Sequence, residues 1–81
     1  MWILNCGGSF PCGVFETKEA AEETIKKYKL TGVLTQYPIN MLVLDWAIEN
    51  NYLSESARTT EDAGTYTTAY QNHYHYENGE Q

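Results

Sequence analysis

At 81 residues, with 42% apolar and 14% aromatic side chains, the chain has room for one domain, residues 1–81, with a modest core and a small stability margin. Its formal net charge of -6 lies entirely in the second half, where Asp45, Glu49, Glu55, Glu61, Asp62, Glu77 and Glu80 face Arg58 alone. Such a surface repels nucleic acid, which is held through clustered Lys and Arg, and no apolar run approaches the length of a membrane span.

The chain opens on Met1-Trp2-Ile3-Leu4, apolar but too short for a signal peptide and without a basic flank. A cytoplasmic location is therefore expected, with Cys6 and Cys12 as free thiols. Residues 2–6 read as a strand stopped by Gly7-Gly8. The run 7–11, GGSFP, is turn chemistry, and 12–16 resumes a strand, so residues 2–16 form a hairpin with a long loop. Gly13 marks a bulge, a weak point or a close approach. Thr17 is a suitable N-cap for a helix over 18–29, with glutamates early and lysines late, as the helix dipole favours. Lys18–Glu22, Glu22–Lys26 and Glu23–Lys27 are spaced to pair, and Ala20, Ala21, Thr24, Ile25 and Tyr28 make the inward stripe.

Residues 33–37 read as a third strand ended by Pro38. Asn40 is placed to cap a second helix over 41–51, with Ile39 as a staple. That helix carries two apolar stripes, one of Leu42, Val43, Trp46 and Ala47 with Asn50, the other of Met41, Leu44 and Ile48. It is either buried on two sides or offers a patch to a partner. Residues 54–64 are polar, aperiodic and expected as a mobile loop. Residues 65–70, TYTTAY, are β-branched and aromatic and read as the last strand. Asn78-Gly79 ends regular structure, leaving 78–81 as a flexible tail. The order strand-strand-helix-strand-helix-loop-strand points to an α+β fold, a small four-stranded mixed sheet with two helices on one face. The other sheet face is then solvated or paired with a second copy.

Three stretches taken together carry a resemblance: FPCGVFETKEAAEETIKKYKLTGVLTQYP, DWAIENNYL and HYHYENGE. Over Trp2 to Glu80 the chain resembles a small bacterial family of uncharacterised proteins, the domain of unknown function numbered 7710 in that series. The resemblance implies no activity, ligand or catalytic residue. Cys6 and Cys12 stand where small residues other than cysteine are usual in the family, which argues against a shared cysteine chemistry.

The chemistry-bearing residues admit few readings. In a strand, His73, His75 and Glu77 project to one face and could converge on a metal ion, though a fourth ligand is missing locally. Adding Cys6 and Cys12 gives a Cys2His2 set whose spacing fits structural zinc sites poorly, and a Cys6–Cys12 disulfide suits the hairpin but not a reducing compartment. An enzyme needs a shielded cleft with paired titrating groups, and no nucleophile elbow or phosphate loop is present; no catalysis and no cofactor are expected. A protein–protein role fits better: an inhibitor, immunity-like or regulatory module. Asp45, Trp46, Glu49, Tyr52, Glu61, Asp62, Tyr66, Tyr70, Tyr74 and Tyr76 are the contact candidates, and the partner is basic or a second copy of the chain. The acidic surface also serves solubility. A small metal- or ligand-binding domain using His73, His75 and Glu77 is the alternative.

Overall fold

In the computed structural model, which describes residues 1–81, the expected hairpin, helix and third strand form in sequence order. Strand β1 (Trp2–Asn5) pairs with β2 (Gly13–Phe15) and, on its other edge, with β3 (Gly32–Gln36), which pairs in turn with β4 (His73–Tyr76). The sheet order is β2-β1-β3-β4, giving an α+β fold. The sheet is antiparallel throughout and not mixed. Helix α1 (Lys18–Tyr28) carries the chain from β2 past β1 to β3, so β2 and β3 run the same way but never touch. The 81 residues divide into two compact units: Met1–Tyr37 with Gln71–Gln81, and Pro38–Tyr70.

The first unit contains the whole sheet. Cross-strand register places Trp2 and Leu4, Phe15, Leu34, and Tyr74 and Tyr76 on one face. Leu4, Leu34 and Tyr76 are buried there with Ala21 and Ile25 of α1, while Trp2, Phe15, Leu30 and Tyr74 pack around them. Burial of these side chains supplies most of the unit's stability, at about 25 cal/mol per Å² of apolar surface. Gly13 is a close approach: a Cβ there would lie 2.8 Å from the Phe15 ring, which folds back over it. Gly32 begins β3 hard against β1, where a Cβ would meet the Asn5 carbonyl oxygen at 2.5 Å.

The Thr17 hydroxyl accepts a hydrogen bond from the Ala20 amide at 3.1 Å and caps α1 as expected. At the other end Lys29 takes a left-handed conformation (φ 53°), and the Leu30 and Lys29 amides donate to the Ile25 and Lys26 carbonyls. This pair of bonds is the Schellman arrangement, and it turns Leu30 back onto the core. The inward stripe is narrower than expected: Ala21 and Ile25 are buried, Ala20 is exposed and Tyr28 is 63% exposed. One of the three expected pairs forms, Lys18–Glu22 at 3.9 Å.

The last strand is residues 73–76 and not 65–70. In 73–76 the tyrosines alternate inward and the histidines outward, whereas Thr65–Tyr70 offers one face only Tyr66, Thr68 and Tyr70. Intrinsic β-preference yields here to the segment that completes the core. The chain end, expected as a tail, makes hydrogen bonds of its own. Glu77 and Glu80 form a bridge, the Gly79 amide donates to the Leu30 carbonyl at 2.8 Å, and the Asn78 amide donates to the Thr31 hydroxyl at 3.0 Å. Gly79 has φ +86° and sits so close to the end of α1 that a Cβ would lie 3.1 Å from the Lys29 Cα.

The second unit leaves the sheet after Tyr37 and returns at Gln71, and these two points adjoin: the Gln36 amide donates to the Asn72 carbonyl at 2.9 Å. Gln71 is buried, yet neither polar atom of its side-chain amide is hydrogen-bonded. Within the unit, helix α2 spans Val43–Glu49, shorter than the expected 41–51. Asn40 does not cap it, because its backbone is left-handed (φ 59°), a conformation Asn tolerates in turns, and Leu42 stands at the cap without a side-chain bond. The buried residues are Leu44, Ala47 and Ile48, while the expected staple residue Ile39 is 59% exposed. The polar stretch 54–64 contains a 3-10 turn (Glu55–Ala57) and the one-turn helix α3 (Thr60–Ala63), capped by the Thr59 hydroxyl. No helix is long and apolar enough to cross a membrane.

Candidate functional site

The second unit assembles three aromatic rings from separate segments. Asn51 is left-handed (φ 64°), and the Asn51 and Tyr52 amides donate to the Ile48 and Ala47 carbonyls, another Schellman closure. That turn swings Tyr52 back beside Trp46, with ring centroids 5.5 Å apart and planes at 30°. Tyr70, at the far end of the unit, stacks on Tyr52 at 4.6 Å and 14°. Trp46 is half-buried, but Tyr52 and Tyr70 are 47% and 58% exposed. Each stacked pair contributes roughly 0.5–1.5 kcal/mol beyond burial, so the rings hold one another in place with their outer edges in water.

The same unit carries five carboxylates, Asp45, Glu49, Glu55, Glu61 and Asp62. Arg58 bonds Asp45 through one guanidinium nitrogen and donates from Nε to the Glu55 carboxylate at 2.7 Å. The Arg58 guanidinium holds the Glu55 carboxyl below its usual range, first through that hydrogen bond and then through its charge. Arg58 in turn is raised, by the Glu55 hydrogen bond foremost and by the charges of Glu55, Asp45 and Glu49. Asp45 is thus an internal ion-pair partner, whereas Glu49, Glu61 and Asp62 are exposed and enter no ion pair. Sequence reasoning missed Arg58. The signal was present, because it is the one cation of residues 45–81 and stands three residues after Glu55.

The other contact candidates separate. Tyr66 is half-buried outside the stack. Tyr76 is a core residue, 5% exposed, and its hydroxyl donates to the Glu22 carboxylate at 2.7 Å. Tyr74 is half-buried between Trp2, at 6.0 Å, and the Lys18 ammonium, 3.8 Å above its ring. Both belong to the framework of the first unit, because their place in the alternation of β4 turns them inward.

His73 and His75 lie on the opposite sheet face, both exposed, with ring centroids 5.4 Å apart, edge to face. The Gln71 carbonyl can only accept, so at 2.9 Å the His73 Nδ1 carries the proton of that bond. Glu77 has left the strand for the terminal turn and does not complete the expected trio. No group of three or more His, Cys, Asp or Glu side chains is placed to hold a metal ion, so neither the tail set nor the Cys2His2 set assembles. An open depression of about 600 Å³ lies beside the tail, lined by Thr31, His75, Tyr76, Glu77, Asn78, Glu80 and Gln81. Cys6 and Cys12 are exposed free thiols at the two ends of the β1–β2 loop.

A family model described as Domain of unknown function (DUF7710) matches residues 1–81. No curated protein and no solved structure matches the chain. With the match covering its whole length, the chain belongs to this family of uncharacterised domains.

Proposed function

We propose that this protein acts by binding another protein, through the Trp46–Tyr52–Tyr70 ladder and the carboxylates of the same unit, in a cytoplasmic setting and without catalysing a reaction. The ladder carries the reading. Tyr52 and Tyr70 keep large aromatic surfaces exposed while stacking restricts their motion, so a partner meets them at a small cost in side-chain entropy. Tyr and Trp are the residues on which interface energy concentrates.

Charge sets the class of partner. In Pro38–Tyr70, five carboxylates face Arg58 alone, and Arg58 is already engaged by Asp45 and Glu55. A second copy presenting the same patch would bring like charges together, so a basic partner is favoured over self-association through this surface. Regulation or inhibition of a basic protein is the role that suits such a module.

Capture on the immobilised protein at low and at raised salt tests this. The retained protein is expected to have a basic isoelectric point, to elute as salt rises, and to bind a Glu49→Gln, Glu61→Gln, Asp62→Asn triple variant more slowly and more weakly. Retention of an acidic protein, or retention indifferent to both salt and the triple variant, would contradict the reading.

A further inference from the structure

We propose that Cys6 and Cys12 form a reversible disulfide modification site that closes the β1–β2 loop in response to small-molecule disulfides. The two sulfurs already face each other at 3.4 Å, with Cys12 donating its S–H to the Cys6 sulfur. A disulfide requires about 2.0 Å, so closure needs only a modest adjustment of the side chains. The backbone favours the approach. The last cross-strand pair is Leu4 with Gly13, and the Cys12 amide donates to the Leu4 carbonyl at 2.8 Å, which fixes Cys12 at the mouth of the hairpin. On the facing strand the Gly7 amide donates to the Asn5 side-chain oxygen at 2.8 Å, and Gly7 adopts φ +101°, which turns the chain directly after Cys6. Both thiols are exposed, so an oxidant reaches either one. Exposed disulfides are typically the labile ones.

The chemistry is thiol–disulfide exchange with a small-molecule disulfide as oxidant. The thiolate of one cysteine attacks a sulfur of that disulfide, whose S–S bond breaks and releases one small thiol. The second protein thiolate then attacks the mixed disulfide, forms the Cys6–Cys12 bond and releases the other small thiol. The pair gives up two electrons, the small disulfide is reduced to two thiols, and the two protons lost by the cysteines end on those thiols. Partial desolvation at the mouth of the hairpin and the neighbouring Cys12 hold the Cys6 thiol above its ordinary range, so exchange through that sulfur accelerates as pH rises. Closure ties down the loop that carries Phe10, whose ring is 82% exposed.

The test incubates the reduced protein with defined ratios of reduced and oxidised glutathione, quenches with acid, alkylates and weighs the product. The expected product is a monomer lighter by two hydrogens in which neither cysteine is alkylated, restored by excess reduced glutathione. Cys6→Ser and Cys12→Ser should each stop at a single glutathione adduct. Accumulation of glutathione adducts on the wild type, disulfide-linked dimers in place of the closed monomer, or two thiols that stay fully alkylatable would each overturn the proposal.

Discussion

At the scale of single residues, Tyr76 shows how a polar tip is accommodated in a small core. Its ring fills the centre of the first unit while its hydroxyl donates to Glu22, a partly exposed carboxylate on α1. Removing the hydroxyl with Tyr76→Phe leaves the ring in place and should cost about 1–2 kcal/mol, read as a lower denaturant midpoint with an unchanged slope. Burial, with the Glu22 carboxylate beside it, raises the Tyr76 phenol above its ordinary value. The unfolded chain then loses that proton first, so this residue's contribution is intact below about pH 10 and is lost as pH climbs further. A melting-temperature series across alkaline pH should therefore fall more steeply for the wild type than for Tyr76→Phe. Gln71 is the opposite case, a buried amide with no partner. Gln71→Met keeps the length and removes the unpaired groups, and should raise stability by about 1 kcal/mol in the same denaturant experiment. Neither environment is legible from residue type alone, and the Tyr76 hydroxyl finds its partner 54 positions away in the chain.

At the scale of elements, legibility follows how far the signal is local. Helix α1 carries its own instructions: Thr17 at the cap, glutamates before lysines, and Ala21 and Ile25 four apart. Its boundaries were readable for that reason. Helix α2 lacks a capping side chain, and Asn40 is taken by a turn, so the pattern sets its start two residues early. For the final strand, β-preference is spread over both 65–70 and 73–76, and only pairing with β3 and burial of Tyr76 select the second. The end of α1 supplies a prediction at this scale. Lys29 holds a left-handed conformation that costs a side-chain-bearing residue about 1 kcal/mol and glycine almost nothing. Lys29→Gly should accordingly stabilise the protein by several tenths of a kcal/mol, less its larger entropy loss on folding, raising the melting temperature by a few degrees.

At the scale of the whole molecule, one unit is a sheet backed by a helix and the other is an excursion of residues 38–70 that starts and ends at adjoining points of that sheet. The division also sorts the candidate site. Aromatic composition flagged Trp46, Tyr52 and Tyr70 together with Tyr74 and Tyr76, but composition does not separate rings that present a surface from rings that build a core. Alternation within β4 makes Tyr74 and Tyr76 framework, and the closure after α2 makes Tyr52 a surface ring stacked on Trp46. The same alternation puts the histidine pair on one face, while Glu77 falls outside because the strand ends one residue earlier. If the ladder is a contact surface, its exposed part is not a structural necessity. The measurement that tests it most directly compares the wild type with a Tyr52→Ser, Tyr70→Ser double variant, pairing a thermal melt with affinity capture of the partner. The expected result is a loss of stability of no more than about 3 kcal/mol, the worth of the two stacked pairs, together with at least a thirtyfold loss of retained partner. A variant that retains the partner fully, or one that unfolds outright, would contradict it.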